Sequence, residues 1–336
     1  MRNRDAKFVL PVLLAVVLLG GWACSRLNLP FISAPPATEG LHAEAPSATK
    51  TDAAQPLYTG PPPGAKYAGA EACLECHKVS DDPFHGTVMG KVFSKNPRTA
   101  EERKNCESCH GPGSLHVDAA GEAVETIITF RKGAEPVEVQ NAKCMGACHT
   151  KDVKRMFWGS GVHEARGVSC TDCHSTHRPQ TTKAILTRPS VTETCNACHV
   201  EMKRHLYERS THPVKEGKMS CTSCHNPHGS QAPAMMVANS INDTCYKCHA
   251  EFRSPVLWEH APVKENCNTC HAPHGSNHDK LLKTSLFRLC QSCHMQGRHQ
   301  TIAGGPDRFF MINRGCADCH NRIHGSNHPS GPLFFR

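Results

Sequence analysis

The chain has 336 residues, of which 21 are Cys and 24 are His, a proportion far above that of ordinary globular proteins. Hydrophobic residues make up 38% of the chain and aromatic residues 6%, which excludes two ordinary apolar cores in a chain long enough for about two domains. The formal charge of +8 at pH 7 counts only the side chains, so it does not by itself indicate an anionic partner.

Residues 1–23 have the layout of an export signal. Three basic residues lie within the first seven positions, and an apolar run of 16 residues, 8–23, follows them. We predict cleavage before Cys24. Lipidation of Cys24 is an alternative that Gly21 and Trp22 disfavour, since neither suits a lipobox. A third possibility is that the signal is retained as a membrane anchor, although its apolar run of 16 residues is just short of the roughly 17 to 25 that span a bilayer.

Residues 24–66 are rich in Pro and Ala and show little periodicity. Such a composition favours an extended, semi-rigid tether over a packed element. We therefore expect the folded domain to occupy residues 67–336.

Ten closely related motifs occupy this domain. Nine of them read Cys-x-x-Cys-His, and the third has one extra residue between its cysteines. The paired cysteines are Cys73 and Cys76, Cys106 and Cys109, Cys144 and Cys148, Cys170 and Cys173, Cys195 and Cys198, Cys221 and Cys224, Cys245 and Cys248, Cys267 and Cys270, Cys290 and Cys293, and Cys316 and Cys319. The histidines that follow them are His77, His110, His149, His174, His199, His225, His249, His271, His294 and His320.

This spacing is typical of the attachment of haem c. Two thiols bond covalently to one porphyrin, and the adjacent histidine reaches its iron as the proximal ligand. A disulfide framework and zinc ribbons are the alternatives, because both also use paired cysteines. Neither explains a histidine directly after the second cysteine in all ten copies. We therefore predict ten covalently bound haems c.

Ten further histidines bracket the even-numbered motifs, one before and one after each. They are His85, His116, His163, His177, His212, His228, His260, His274, His299 and His324. We predict that they are the distal ligands, which makes every iron six-coordinate. His328 is an alternative ligand in place of His116 or His324. The histidines expected to have no ligand role are His42, His205 and His278.

The flanking sequences alternate between odd-numbered and even-numbered motifs, with a unit of about 46 to 51 residues repeated five times. In odd-numbered motifs a Thr or Asp just before the first cysteine, such as Thr194, predicts the cap of a short helix. In even-numbered motifs Pro and Gly predict the end of the helix and a turn. We predict a multihaem cytochrome c fold, mostly coil with short α-helices and little β structure, forming an elongated wire of ten stacked haems built from five dihaem repeats.

Bis-histidine haems suit electron transfer, because their irons have no open position for a substrate and change little in geometry on reduction. Their potentials depend on the axial ligands, exposure and neighbouring charge. Each oxidised haem with ionised propionates adds roughly −1, so ten of them would bring the net charge to about −2. We therefore predict an electron carrier rather than an enzyme, and no nucleic-acid partner.

Several stretches fix both the cysteine spacing and the placement of a second histidine, among them STHPVKEGKMSCTSCHNPHGS, LWEHAPVKENCNTCHAPHGS and HGSNHPSG. Through them, residues 67–336 resemble the periplasmic decahaem cytochromes of the MtrA, DmsE and PioA type. The resemblance implies a periplasmic protein, associated with the outer membrane, that carries electrons inside a β-barrel porin. The other implied partners are an outer-surface multihaem cytochrome or terminal reductase, and periplasmic or inner-membrane cytochromes that donate or accept electrons.

Two other functions stay open at this point. A soluble periplasmic electron shuttle needs the same haems but no membrane partner. A multihaem reductase such as nitrite reductase needs a five-coordinate haem, marked by Lys in place of a proximal histidine or by a missing distal ligand, and neither mark is evident. The spacing from Cys144 to Cys148 departs from the family pattern, which leaves the geometry of the third site open.

Overall fold

The computed structural model describes residues 61–78, 83–253, 255–295 and 315–335. These residues all belong to the second of the chain's two units, Ala54–Arg336. The predicted export signal, most of the predicted tether and the candidate ligand His299 lie outside the described residues, as do Cys24 and His42.

The described chain folds into short helices joined by turns and coil. The α-helices, of four to eight residues each, are Ala70–Cys76, Val88–Lys95, Ala100–Arg103, Cys106–His110, Ser114–Asp118, Val137–Cys144, Val162–Ala165, Cys170–Cys173, Val191–Asn196, Val200–His205, Ile241–Tyr246, Ala261–Glu265, Leu286–Gln291 and Cys316–Cys319. Short 3-10 helices are Pro83–Gly86, Val124–Thr126, Trp158–Ser160, Cys221–Ser223, Pro233–Met235, Ala250–Phe252, Cys267–Thr269, Asp279–Leu281 and Gly331–Leu333. A π-helix spans Met145–His149.

The β structure of the described residues consists of isolated bridges, and no strand is formed among them. The prediction of mostly coil with short helices and little β structure is confirmed. Within the same ranges, no helix has both the length and the apolar character that a membrane crossing requires.

Four of the five helices that carry odd-numbered motifs begin about one turn before the first cysteine, and that of the third motif begins at Val137, seven residues before Cys144. Ser190 and Ser240 are N-cap residues, and their hydroxyl oxygens accept hydrogen bonds from the backbone N–H groups of Glu193 and Asp243 at 3.1 and 3.0 Å. Thr194, predicted as a cap, lies inside the helix and donates its hydroxyl to the Ser190 carbonyl at 2.8 Å. The predicted helix is confirmed but the predicted cap is wrong, because the earlier serine caps better than Thr and adds a turn of backbone hydrogen bonds.

After three of the even-numbered motifs the chain forms the same closed loop. Two consecutive residues have left-handed φ values in each: Ala184 and Ile185 (62° and 43°), Ala234 and Met235 (both 53°), and Lys280 and Leu281 (both 58°). In the second loop Asn226 N–H donates to the Met235 carbonyl at 2.7 Å, and Val237 N–H donates to the Cys224 carbonyl at 2.9 Å. The other two loops have the equivalent pair of bonds. These bonds hold a conformation that costs a non-glycine residue about 1–2 kcal/mol.

Backbone hydrogen bonds join neighbouring repeats. In each case a segment just before an even-numbered motif bonds to the His-Gly-Ser segment of the following repeat. Ser210 and Ser276 exchange two backbone hydrogen bonds, of 2.8 and 2.9 Å. Trp258 and Ser326 exchange two of 3.0 Å. The His-Gly-Ser segments are therefore turns, as predicted from their composition, and also contacts between repeats.

The glycine of the His-Gly-Ser segment permits this close approach. Gly229 has a φ of +100°, and a Cβ atom on it would lie 2.4 Å from the carbonyl oxygen of Phe157. A side chain at this position would therefore strain its own backbone and displace the neighbouring segment.

Apolar side chains provide little of the core. Among the described residues, the buried hydrophobic side chains are Phe93, Ile128, Leu186 and Leu206. Buried polar side chains are more numerous, and some connect distant segments. Glu107, which is 4% exposed, accepts hydrogen bonds from the N–H groups of Ala68, Gly69 and Gly113 at 2.8 to 3.0 Å. Polar and backbone hydrogen bonds therefore hold the segments together more than side-chain packing does.

We expect Met235→Ile to destabilise the haem-loaded protein, because a β-branched residue tolerates a left-handed φ poorly. Met235 has a φ of 53°, whereas Met236 has a φ of −65°. Met236→Ile is therefore the matched control, since it makes the same side-chain change in ordinary backbone. Because Met235 already bears the cost of the left-handed backbone, thermal unfolding should show only the added cost of β-branching, about 1 kcal/mol, for the first variant and little for the second. Equal melting temperatures for the two variants would contradict the role given to the left-handed loop.

Candidate haem-binding sites

Within each motif the backbone forms a helical turn that brings the histidine close to the first cysteine. In eight copies the histidine N–H donates to the carbonyl of the first cysteine at 2.9 to 3.1 Å, as in one turn of α-helix. Both thiols and the imidazole of a motif therefore come from a single turn of chain. All the cysteines of the ten motifs lie in the described ranges, and none of them forms a disulfide bond.

The third motif accommodates its extra residue in a π-helix. The α-helix Val137–Cys144 continues into Met145–His149, where each N–H bonds to the carbonyl five residues earlier instead of four. The wider turn includes the additional residue, so Cys144 and His149 still lie at the two ends of one helical turn. The unusual spacing therefore changes the winding of the chain and keeps the thiols and the imidazole of this motif together.

The first cysteines of two consecutive motifs are in contact within every repeat. Their thiols are close enough to interact in the pairs Cys73–Cys106, Cys144–Cys170, Cys195–Cys221, Cys245–Cys267 and Cys290–Cys316. Interaction between the two thiols raises the pKa of Cys195 and lowers the pKa of Cys221 to about 6. Each odd-numbered motif therefore lies against the even-numbered motif that follows it.

Between repeats, the second cysteine of an even-numbered motif lies near the next odd-numbered motif. Burial raises the pKa of Cys109 to about 11, and the nearby thiols of Cys144 and Cys148 act in the same direction. The corresponding neighbours are Cys173 with Cys198, Cys224 with Cys245 and Cys248, and Cys270 with Cys293. Consecutive motifs are thus neighbours in space both within and between repeats.

Histidine rings face each other in pairs of nearly constant separation. In the pairs that contain the histidine of an even-numbered motif the ring centres lie 5.9 to 6.2 Å apart, and these pairs are His110–His177, His174–His228, His225–His274 and His271–His324. In the pairs that contain the histidine of an odd-numbered motif the distance is 6.1 to 6.4 Å, and these pairs are His163–His199, His212–His249 and His260–His294. Every pair joins one predicted proximal ligand to one predicted distal ligand.

The separation of the rings fits an iron atom between them. A ligating imidazole nitrogen lies about 2 Å from a first-row metal ion and about 1 Å from the centre of its own ring. Two imidazoles on opposite sides of one iron would therefore have ring centres about 6 Å apart. The facing pairs have this separation, and one member of each pair directly follows two thiols. These residues fit a covalently attached haem.

The pairing crosses the repeats. The histidine after an even-numbered motif faces the histidine of the preceding even-numbered motif, as His228 faces His174. The histidine before an even-numbered motif faces the histidine of the following odd-numbered motif, as His163 faces His199. The two histidines that bracket a motif, such as His163 and His177, therefore face the rings of two other motifs.

Backbone carbonyls orient the rings of the even-numbered motifs. His174, His225 and His271 donate from Nδ1 at 2.7 to 2.8 Å to the carbonyls of Ala184, Ala234 and Lys280. Each acceptor is the first left-handed residue of its closed loop. Because a carbonyl oxygen can only accept, the proton lies on Nδ1 and the lone pair of Nε2 is left for a metal. The strained loop therefore fixes the tautomer and the orientation of the ring.

In the pairs of odd-numbered motifs a carbonyl orients the other ring, that of the predicted distal ligand. His163, His212 and His260 donate from Nδ1 at 2.8 to 3.0 Å to the carbonyls of Pro227, Pro273 and Ile323. Each of these acceptors directly precedes a His-Gly-Ser histidine. One short segment therefore supplies the facing histidine of one site and the carbonyl that orients the facing histidine of another.

Burial keeps several of these imidazoles neutral. It lowers the pKa of His228 to about 4, and the nearby His174 acts in the same direction. Burial also lowers the pKa of His110, His260, His274 and His324. Neutral imidazole is the form that binds a metal, so the ligating form is retained at neutral pH.

His328, the alternative distal ligand, is not the histidine of its segment that faces another ring. Its Nδ1 accepts a hydrogen bond from the Ser330 N–H at 3.1 Å. The neighbouring His324 faces His271 with ring centres 6.2 Å apart and planes 16° apart. Of these two histidines, His324 is therefore the one that belongs to a facing pair.

Five predicted ligands within the described ranges are not members of the seven pairs given above, namely His77, His85, His116, His149 and His320. The ring of His85 is hydrogen-bonded to the Ser94 hydroxyl at 2.8 Å. His320 donates from Nδ1 to the carbonyl of Leu333, as the other even-numbered motif histidines do to their loops. His205, predicted to have no ligand role, has its Nδ1 3.0 Å from the Glu208 carboxylate.

Two buried asparagines that the sequence reasoning missed connect odd-numbered motifs to even-numbered ones. The Asn242 amide donates to the carbonyls of Val263 and Lys264 at 3.0 Å, and its oxygen accepts from the Cys267 N–H at 2.8 Å. Asn141 makes the equivalent contacts to the fourth motif. Both lie three residues before the first cysteine of an odd-numbered motif, so an alignment of the repeats with one another could have found them.

Two protein families match three segments of the sequence, and a known relative matches most of its length. Residues 212–254 and 260–299 match the doubled CXXCH motif family, and residues 106–198 match the NrfB-like cytochrome c-type proteins. The chain is 31% identical to the cytochrome c-type protein NrfB of Escherichia coli O6:H1 over 134 residues, which are 39% of this chain and 66% of that protein. It is 42% identical to the multihaem cytochrome MtrA of Shewanella baltica over 281 residues, which are 80% of this chain and 81% of that protein. The chain therefore belongs to the MtrA family of multihaem c-type cytochromes.

Proposed function

We propose that this cytochrome conducts electrons across the outer membrane through ten bis-histidine haems, inside a porin partner. Membership of the family makes the chain an electron carrier, and the proposal adds the number of haems, their ligands and the destination. The observation that carries it is the set of facing histidine pairs. With an imidazole on each side of the iron, these sites have no ligand position open for a substrate.

The rule for odd-numbered motifs assigns one of the three remaining sites, the third, to His85 and His149. Two motif histidines and two bracketing histidines are then left. We assign each to the partner in its own repeat, His116 to His77 and His299 to His320. Each of the ten sites then has two thiols and two imidazoles.

An iron porphyrin held in this way gains and loses one electron without a change of ligands. The chain determines which sites are neighbours. The first cysteines of the two sites in each repeat lie side by side, as Cys195 lies beside Cys221, and neighbouring cysteines such as Cys173 and Cys198 connect one repeat to the next. We infer that electrons pass from site to site in the order of the sequence.

The export signal proposed for residues 1–23 would deliver the chain to the periplasm, where it would associate with the outer membrane. Its proposed partners are an outer-membrane porin, an outer-surface multihaem cytochrome or terminal reductase, and periplasmic or inner-membrane cytochromes. Support comes from the similarity to MtrA over 80% of the chain. The proposed destination is extracellular electron transfer, with the external partner selecting metal or dimethyl sulfoxide reduction or iron oxidation.

We expect the cytochrome and its porin, extracted together from outer membranes in mild detergent, to transfer electrons into sealed vesicles. An external reductant should reduce a redox dye trapped inside, because the haems form the only conducting path. Vesicles that contain porin alone are the control. A cytochrome that purifies only as a free periplasmic monomer, and leaves the dye oxidised, would favour a soluble shuttle and contradict the conduit.

We expect His260→Ala and His274→Ala each to leave haem covalently attached but to remove one axial ligand. The oxidised protein should then show one high-spin haem by electron paramagnetic resonance, because the facing rings His294 and His225 lose their partners. The matched control is His278→Ala, a histidine outside the facing pairs. The distal ligands would be wrongly assigned if neither ligand variant showed a high-spin signal, or if His278→Ala showed such a signal.

We also expect two classes of low-spin signal in the oxidised protein. The facing planes differ by 14° to 16° in His174–His228, His225–His274 and His271–His324, but by 54° to 56° in His163–His199 and His212–His249. Nearly parallel axial imidazoles give rhombic signals in electron paramagnetic resonance, and strongly tilted ones give signals with a large maximum g value. A spectrum with only one of these classes would contradict the proposed pairs.

A further inference from the structure

Two buried nitrogen donors lie together on the segment that precedes the fourth motif. The Nε of Arg155 and the Nε1 of Trp158 are shut off from solvent, and neither has a hydrogen-bond partner among the described residues. A buried donor without an acceptor costs about 1–3 kcal/mol. Two such donors three residues apart therefore indicate that this place is built for an acceptor that the polypeptide does not supply.

The segment packs against the histidine proposed as distal ligand of the fourth site. The ring centre of Trp158 lies 6.2 Å from that of His228. On either side of this histidine, the Asn226 amide donates to the Lys154 carbonyl at 3.2 Å, and Gly229 lies directly against the Phe157 carbonyl. The donors therefore lie beside the site formed by His228 and its facing ring.

Arg155 also places a positive charge there. Its Nη2 is 2.5 Å from the Asp152 carboxylate, which fixes the guanidinium and leaves Nε for another acceptor. With the Trp158 ring against His228, this short segment therefore brings a guanidinium and an indole N–H to the fourth site.

We propose that Arg155 and Trp158 bind a propionate carboxylate of the haem held by His174 and His228. The inference rests on the haem site proposed above. A carboxylate accepts from both donors at once, and its bond to the guanidinium is charge-assisted. A guanidinium and a hydrogen-bond donor that stabilise the propionate charge offset its repulsion of an added electron, so Arg155 and, to a smaller extent, Trp158 raise the midpoint potential of this haem.

The test uses the full-length, haem-loaded protein with a His228→Met background that isolates the fourth haem. Methionine in place of one axial histidine raises the potential of a haem, so one component should separate from the rest in a spectropotentiometric titration. Adding Arg155→Gln or Trp158→Phe should then shift this component to lower potential. The double variant should shift it by less than the sum of the two, because both donors serve one carboxylate.

Arg209→Gln is the matched charge control. Arg209 is 71% exposed and forms its ion pair with Asp279 at 3.2 Å, so loss of its charge should leave the separated component unchanged. An equal shift of that component in Arg209→Gln and Arg155→Gln would overturn the propionate assignment. So would the absence of a shift in both donor variants when mass spectrometry shows complete haem content. In either case the haem site itself stands. If His228→Met alone separates no component, the ligand pair is wrong and the inference falls with it.

Discussion

The hydrogen bond from a histidine Nδ1 to a backbone carbonyl is the interaction on which the rest of this structure depends. It fixes the proton on one nitrogen and directs the other nitrogen toward the facing ring. The carbonyl comes from a left-handed loop in even-numbered motifs, as Ala234 serves His225, and from the neighbouring repeat in odd-numbered ones, as Pro273 serves His212. The loops, the His-Gly-Ser turns and the contacts between repeats all serve to place these carbonyls.

This arrangement makes each repeat dependent on its neighbours. On the proposed ligation, the fourth site takes His174 from one repeat and His228 from the next, while the Pro227 carbonyl beside His228 orients His163 for the fifth site. No repeat contains all the ligands for its own two irons. Haem binding and the docking of repeats are therefore one process, and the haem supplies the stability that four buried hydrophobic side chains among the described residues cannot.

The covalent part of the sites could be predicted from sequence, because two cysteines and a histidine within five residues must come from one turn of chain. The pairing could not. His228 and His174 are separated by two intervening cysteine motifs, and neither composition nor local spacing indicates which residues so far apart in sequence meet in the fold. The ten distal histidines were proposed only because their positions repeat. Their bracketing of the even-numbered motifs left the pairing open, and in the facing pairs each bracketing histidine faces the ring of another motif.

Local sequence signals also failed in two ways, once through a better cap nearby and once through contacts that the local sequence does not contain. Thr194 has a suitable side chain for a cap, but Ser190 begins the helix earlier and Thr194 bonds back to it. Nothing in Ala234 and Met235 predicts a left-handed pair, because each is an ordinary residue for extended or helical backbone. The conformation exists because flanking backbone bonds hold it and the histidine uses the carbonyl that it presents. Strain of this kind is typical of functional positions and is rarely legible in a single sequence.

The same hydrogen bond also limits how the haem potentials can be made to differ. Most facing pairs have one ring donating to a carbonyl, so the electron-donating strength of the ligands is similar from site to site. Differences must then come from charge and burial near individual sites. Among the described residues, two examples are Arg155, three residues before the Trp158 that lies against His228, and the Glu251 carboxylate, 3.3 Å from Nδ1 of His249. A cation favours the reduced iron, and a carboxylate on the ligand favours the oxidised iron. An electron carrier built on one repeated ligand geometry would thus acquire its uneven potentials from a few charged side chains.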